Sequence, residues 1–359
     1  MKHHRVVVSR HGGPDVLQVV EEDIPEPGAG EVRVKVLAAG VSAFDLIYRR
    51  WGRLPGSPRL PFTLGEDVVG VVDKLGTGVS SLEPGQTVAG GTGFLGVGGG
   101  YAEFICLLDS ELVPVPSGVD PAEAVCLVVN YLTAHQHLHQ IGKVRSGERI
   151  LVHGAAGGVG TALLQLGKLA GLEMYGTASK HNHQLVSALG ATPIDYRTED
   201  FVERIRSLTG DGVDVVVDPV GGARHLWRSY RALGKGGRLV WLGNAATNKQ
   251  GLRVGPLRIL VWGTRGLLMV FLLRLIPDGK QVPTPPTLGK FAKAHNEWYR
   301  ETLTELLDSL AVGRIKPVVA ERIPLAEAAR AHELLERSGH AGKVVLVPAH
   351  SRGGAATAS

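Results

Sequence analysis

The sequence predicts an α/β protein in which a doubly wound parallel sheet is joined to a separate β-rich, barrel-like unit. Three observations carry that expectation. The 359 residues exceed the roughly 250–300 at which single cores stop growing, so two domains are expected. Residues 1–115 read as short apolar strands separated by Gly and Pro. From Asp120 onward strands and helices alternate, which signals βαβ units and a parallel sheet.

The N-terminal strands are expected at 5–8, 31–39, 68–74 and 87–89, with Pro25-Glu26-Pro27-Gly28 and Glu83-Pro84-Gly85 as turn clusters. A helical period runs from 121 to 141. Strands at 149–153, 174–177, 213–217 and 238–242 then alternate with helices at 160–169, 183–189, 201–208 and 223–233. Pro283, Pro285 and Pro286 interrupt the chain before a helix at 296–310, a strand at 317–323, a helix at 325–337 and a strand at 342–347. The Gly-, Ala- and Ser-rich tail, 349–359, is expected to be disordered.

Composition narrows the function classes. With 44% hydrophobic and 20% charged residues the chain reads as an ordinary globular protein. Its formal net charge of +5 is scattered without a dense basic run, which speaks against a nucleic-acid partner and suits an anionic cofactor. Two cysteines, Cys106 and Cys126, are too few for a four-thiolate zinc site or a disulfide framework and fit a reducing compartment. Residues 1–9 carry no apolar signal core, so a cytoplasmic location is expected. The most apolar stretch, 254–276, contains Arg258, Arg265 and Arg274, whereas a spanning helix wants about 20 mostly uncharged residues. It is not expected to cross a membrane.

The central motif is Arg149-Ile150-Leu151-Val152-His153-Gly154-Ala155-Ala156-Gly157-Gly158-Val159-Gly160. An apolar strand enters a glycine-rich turn, and a helix opens at once with Thr161-Ala162-Leu163-Leu164. Such a turn lets backbone approach a pyrophosphate while the helix N-terminus presents free N–H groups to it. Gly154, Ala155, Gly157, Gly158, Val159 and Gly160 are therefore the expected dinucleotide cradle. The next strand ends in Ala178-Ser179-Lys180 and has no acid at its tip to bond a ribose 2′-hydroxyl. A hydroxyl and an ammonium there, with Tyr196 after the following strand, favour a 2′-phosphate and hence NADPH over NADH.

With these motifs in place, the chain resembles the medium-chain dehydrogenase/reductase superfamily in its zinc-independent quinone oxidoreductase (zeta-crystallin-like) branch, from about residue 5 to 347. The matching stretches are Gly12-Gly13-Pro14-Asp15-Val16-Leu17, Pro27-Gly28-Ala29-Gly30-Glu31-Val32, Leu64-Gly65-Glu66-Asp67-Val68-Val69-Gly70, Gly99-Gly100-Tyr101-Ala102-Glu103-Phe104, Asn130-Tyr131-Leu132-Thr133-Ala134, the glycine turn, and Ala341-Gly342-Lys343-Val344-Val345-Leu346. The resemblance implies a Rossmann domain at 124–292 and a discontinuous GroES-like β-barrel catalytic domain at 1–123 and 293–348. It also implies a homodimer, with the nicotinamide held between domains. Zinc-dependent members carry Gly-Val-Cys and Gly-His-Glu; this chain has Gly40-Val41-Ser42 and Gly65-Glu66-Asp67, so no metal is expected. His135 and His139 share a helix face, and the expectation is a packed or exposed face without an ion.

The resemblance further implies that Tyr48 and Ser42 meet the substrate, with Asp45 orienting its neighbours. Asn130, Thr133, Val220 in Asp218-Pro219-Val220-Gly221, Gly243-Asn244 and Lys343 are expected to line the cofactor. The implied reaction is NADPH-dependent hydride transfer to a small hydrophobic quinone or α,β-unsaturated carbonyl, since both place negative charge on a carbonyl oxygen that donors must stabilise. A pathway-specific enone or enoyl reductase would use the same site. From another class, a non-catalytic NADPH-binding protein or a membrane-associated one remains open. The run Leu267-Leu268-Met269-Val270-Phe271-Leu272-Leu273 is expected to serve as core or dimer surface ahead of a substrate mouth or lipid contact.

Overall fold

The computed structural model describes residues 1–51, 59–92, 99–243, 256–283, 286–337 and 339–349. The chain divides into two compact units, Met1–Leu132 with Thr287–Ser359, and Thr133–Pro286. The first boundary falls inside the helical run 121–141.

The first unit opens with β1 (Lys2–Val8), β2 (Leu17–Asp23), β3 (Glu31–Val41), helix α1 (Ala43–Trp51), β4 (Phe62–Thr63), β5 (Asp67–Leu75), β6 (Thr87–Gly91), β7 (Phe104–Leu108) and β8 (Leu112–Pro114). Period-2 patterning explains β3: Val32, Val34 and Val36 are fully buried, while Arg33 and Lys35 alternate outward. Each such valine contributes at most about 1.5–3 kcal/mol through burial. From Ala38 to Val41 every residue is buried, so the strand's last turn lies wholly inside the unit. Helix α2 (Pro121–Cys126) begins where sequence placed it, because the Asp120 carboxylate accepts from the Ala122 and Glu123 N–H groups and Pro121 occupies the first turn. The run to 141 alternates α and π turns, with α3 at Leu132–His135.

The second unit alternates β9 (Arg149–His153), α4 (Gly158–Leu169), β10 (Glu173–Ala178), α5 (His183–Ala188), β11 (Ala191–Asp195), α6 (Phe201–Thr209), β12 (Val213–Asp218), α7 (Ala223–Ala232), β13 (Leu233–Trp241) and α8 (Pro256–Arg274). Its five strands are all parallel, in the order β11-β10-β9-β12-β13. The winding direction reverses between β9 and β12, the place where open α/β sheets bind ligands beyond their carboxyl ends. Strand β13 starts five residues before its expected position at 238. Leu233 pairs with Val213, and a register shift accommodates the glycines that hide this strand in the sequence. The apolar run on α8 splits by face. Val270 and Leu273 enter the core, while Leu267, Leu268, Phe271 and Leu272 are exposed. Among the described residues no helix is long and apolar enough to cross a membrane.

The chain then returns to the first unit with α9 (Leu288–Ala294), α10 (Asn296–Ala311), β14 (Val319–Pro324), α11 (Ala328–Glu336) and β15 (Lys343–Val347). Strand β15 pairs antiparallel with β3, so the sheet path runs β14-β15-β3-β5-β6-β8, with β7 also on β3. A separate sheet, β2-β1-β4, meets β7's approach through a bridge between Arg5 and Ala102. This is the barrel-like unit.

Candidate functional sites in the two units

In the second unit the glycine turn sits at the tip of β9. Gly154 adopts φ +64°, a left-handed conformation that favours glycine. The Gly154 and Ala155 N–H groups bond Thr177 on the neighbouring strand, and Gly157 N–H closes the turn on the Gly154 carbonyl. A Cβ on Gly160 would lie 2.2 Å from the Gly154 oxygen and 2.8 Å from Ala155 Cα, so only glycine lets α4 start this close to the strand. Gly157 takes the N-cap position without a side-chain cap. The first N–H groups of the helix, at Gly158, Val159 and Gly160, are thus left for a ligand. Gly154, Gly157, Gly158 and Val159 reach the surface, while Ala155 and Gly160 are buried supports.

The neighbouring strand tips converge as sequence suggested. The pairing of Ala178 with Asp195 sets Ser179 beside Tyr196, with their hydroxyls 3.1 Å apart, and Lys180 is exposed next to them. Arg197, which the sequence reading missed, lies 5.8 Å over the Tyr196 ring. Asp195, which ends β11 just before Tyr196, is buried and accepts from the Arg197 N–H of its own turn.

Beneath the turn, His153, Asp218 and His225 bring ligand atoms within 4.8 Å of one another. Hydrogen bonds account for the two buried members. Gly154 N–H donates to the Thr177 hydroxyl, which donates to His153 Nδ1; His153 Nε2–H then donates to Ser229, whose hydroxyl donates to Asp218 at 2.7 Å. The other Asp218 oxygen accepts from Val220 and Gly221 N–H. Burial holds the His153 imidazole neutral, with its pKa lowered to about 3. The network ties the glycine turn to the Val220 loop. Gly243 follows β13 and its carbonyl accepts from Trp241; Asn244 lies outside the described residues. Thr133, also in this unit, is buried, and its carbonyl bonds His137.

In the first unit, Ser42 begins α1. Its hydroxyl accepts from Asp45 N–H while the Asp45 carboxylate accepts from Ser42 N–H, a reciprocal cap. The same hydroxyl donates to Glu66 at 2.9 Å. Asp45 also accepts from Gly65 N–H and from Tyr101. Tyr101 in turn meets His332, and His332 meets Arg49, which pairs with Glu336. Asp67 and Lys343 form a buried pair at 2.7 Å. Gly40 gives the pair room, since a Cβ there would lie 2.1 Å from Lys343 Cε. Asn130 is buried on the π turn of this unit, and Tyr48 is partly buried on α1.

The electrostatics follow from three carboxyls gathered around one ammonium. Burial raises Asp45 to about 6. Burial and then Asp45 raise Glu66 to about 8, with Asp67 adding, against the Ser42 hydrogen bond and Lys343. Burial disfavours the Lys343 ammonium, but Asp67 outweighs it and holds Lys343 above its ordinary value. Burial, then Glu66 and Asp45, raise Tyr48, so the phenol keeps its proton. Lys343, expected at the cofactor, is paired inside the protein with Asp67, and the hydroxyl of Ser42, expected at the substrate, donates to Glu66.

Comparison with known proteins adds the family. The family described as alcohol dehydrogenase GroES-like domain matches residues 28–117, and that described as zinc-binding dehydrogenase matches 189–346. A quinone oxidoreductase of Pseudomonas aeruginosa is 35% identical over 348 residues, covering 96% of this chain and 99% of the relative. A solved quinone oxidoreductase of Pseudomonas syringae superposes with TM-score 0.80 at 34% identity, covering 96% and 100% of the two chains. A mycobacterial protein solved in complex with NADPH gives TM-score 0.78 at 31% identity, with coverage of 96% and 100%.

The donors present do not suit the zinc that the second family description implies. At the positions of the thiolate and imidazole stand the Ser42 hydroxyl and a Glu66 carboxyl raised to about 8. Burial raises the Cys106 thiol to about 11 and Cys126 to about 12, far from thiolates. His135 and His139 rings lie 4.6 Å apart, and among the described residues no third ligand joins them. Sequence, fold and donor set agree: the chain belongs to the medium-chain dehydrogenase/reductase superfamily, in its zinc-independent quinone oxidoreductase branch.

Proposed function

We propose that this oxidoreductase uses NADPH to reduce a quinone or an α,β-unsaturated carbonyl. The observation that carries the reading is the glycine turn: an uncapped helix start, brought against its strand by Gly160, at the reversal point of a parallel sheet. Its geometry fits a pyrophosphate. Ser179, Lys180, Tyr196 and Arg197 form a polar, cationic edge one strand away, suited to a 2′-phosphate, while Asp195 is engaged by its own turn. The NADPH of the mycobacterial relative and the names of the Pseudomonas relatives support cofactor and acceptor.

When bound, the nicotinamide supplies a hydride. The chain's own part is to hold acceptor and donor in line and to meet the charge that appears on the acceptor oxygen. Tyr48, kept protonated by burial and by Glu66 and Asp45, is the donor to that oxygen. Asn130 and Thr133 shape the helix from which the site is built. The test is NADPH consumption, followed by absorbance, against a panel of quinones and enones. Turnover with NADPH well above NADH is expected, and no turnover with any acceptor overturns the reading. In Lys180→Ala the preference for NADPH over NADH should shrink by about tenfold, equivalent to about 1.4 kcal/mol; an unchanged ratio removes Lys180 from phosphate recognition.

A further inference from the structure

Of the three residues gathered beneath the glycine turn, His225 is the one that hydrogen bonding does not explain. Its Nε2 is buried and, among the described residues, has no hydrogen-bond partner. That nitrogen faces the Asp218 Oδ2 at 3.6 Å, too far for a hydrogen bond. His153 completes the group, with its ring 4.6 Å from that of His225 and one ligand atom of each residue within 4.8 Å of the others. Two imidazoles and a carboxylate are donors that zinc takes with bonds of about 2.0–2.2 Å, which sets such atoms about 3.3 Å apart around a tetrahedral ion. The separation of Asp218 and His225 is already close to that. His225 lies on the first turn of α7 and its side chain keeps 24% exposure, which gives an ion a way in and the ring room to close.

The two buried members are already held as ligands need to be, by partners on their far atoms. Asp218 Oδ1 accepts from Val220 and Gly221 N–H, which leaves Oδ2 facing His225. His153 Nδ1 is bonded to Thr177, which leaves Nε2 on the side of Asp218. Between Nε2 and Oδ2 stands the Ser229 hydroxyl, at 3.2 and 2.7 Å. It bridges, without an ion, two atoms that an ion would join. The positive charge of Arg228, on the same helix as His225, is engaged by Asp200 at 3.0 Å.

We infer that His153, Asp218 and His225 form a binding site for a divalent transition cation of the zinc type, which fastens β9, β12 and α7 to one another. Binding exchanges the Ser229 bridge for the ion. The His153 imidazole stays neutral but takes its other tautomer: Nδ1–H donates to Thr177, and the Nε2 lone pair turns to the metal. Asp218 Oδ2 and His225 Nε2 supply the second and third bonds, and a water entering beside His225 supplies the fourth. All three ligands belong to the second unit. Neither nucleotide nor acceptor takes part, so the site is independent of the reading of function above and of the Ser42 and Glu66 positions in the first unit.

The probe is the ion itself, added to the full chain after treatment with a chelator and without nucleotide. Cobalt(II) should bind as one equivalent and give the visible absorption of a four-coordinate ion. Zinc(II) should displace it and raise Tm, since it binds the folded chain and not the unfolded one. His225→Gln should weaken zinc binding by at least about 100-fold, the most that loss of an outer partner costs, whereas His139→Gln should leave it unchanged. Ser229→Ala should tighten zinc binding by about tenfold, because the competing bridge is gone; histidines elsewhere on the surface have no reason to respond to that change. Circular dichroism reports whether each variant is folded, and should His225→Gln fail to fold, Ser229→Ala decides. A wild-type chain that binds neither ion overturns the proposal. So does wild-type affinity in a folded His225→Gln protein, or binding no tighter in Ser229→Ala.

Discussion

Gly160→Val should weaken NADPH binding by about 100-fold or more. A Cβ at this position meets the Gly154 oxygen at 2.2 Å and Ala155 Cα at 2.8 Å, and both are backbone atoms that cannot swing aside. The helix start must therefore move away from the strand, taking the Gly158 and Val159 N–H groups with it. Overpacking of this kind costs about 1–3 kcal/mol in stability, and two decades of affinity correspond to about 2.8 kcal/mol. Calorimetric titration with NADPH measures the affinity, and circular dichroism reports whether the protein remains folded. Wild-type affinity in a folded Gly160→Val protein would remove the turn from the phosphate site and with it the basis of the functional reading.

Lys343→Met should destabilise the barrel-like unit by about 3–5 kcal/mol at neutral pH, the usual cost of stranding one partner of a buried ion pair. Both members are almost wholly buried, with side-chain exposures of 2% and 0% for Lys343 and Asp67, so water cannot compensate. The sign of the pH dependence follows from Asp67. Burial already raises its pKa, and loss of Lys343 removes the main influence lowering it. In the variant the folded-state pKa lies above the unfolded one, so the folded protein binds the extra proton. The penalty is small below about pH 4, the ordinary range of aspartate, and grows as pH rises. Urea unfolding at several pH values measures this. The double variant Asp67→Asn with Lys343→Met should recover most of the loss, because no buried charge remains. Equal stability of the single variant and wild type at pH 7 would mean that the pair is not buried in solution.

Sequence reading reached the architecture because its signals are local. The period of β3 and the Asp120-Pro121 cap each lie within a dozen residues, and the strand, glycine turn and helix around Gly154 lie within about two dozen. Strand β13 escaped in part because Gly234, Gly236 and Gly237 look like a loop, and only pairing of Leu233 with Val213 makes that stretch a strand. That Ser179, Lys180 and Tyr196 are neighbours was legible, since strand order follows from βαβ logic. Arg197 went unnoticed because its place beside Tyr196 depends on how the chain leaves β11. The acidic cluster was the least legible. Lys343 and Asp67 are 276 positions apart, and nothing local distinguishes a lysine that meets a buried aspartate from one that meets a nucleotide. Glu66 was read only as the absence of an imidazole. Its neighbours Asp45 and Ser42 precede it by more than twenty residues, so its chemistry emerged only from the fold.

The antiparallel pairing of β3 with β15 sets an order on biosynthesis. The parallel-sheet unit is continuous in the chain and can close as soon as residue 286 has left the ribosome. The barrel-like unit must wait, because Val41, Gly40 and Ala39 find their partners only in Val344, Val345 and Leu346. During translation of the intervening stretch the nascent chain carries one finished half and one half with an open strand edge, the kind of exposed backbone that invites wrong pairing. Chaperone demand during synthesis therefore falls on the N-terminal strands, although they are the first to be made.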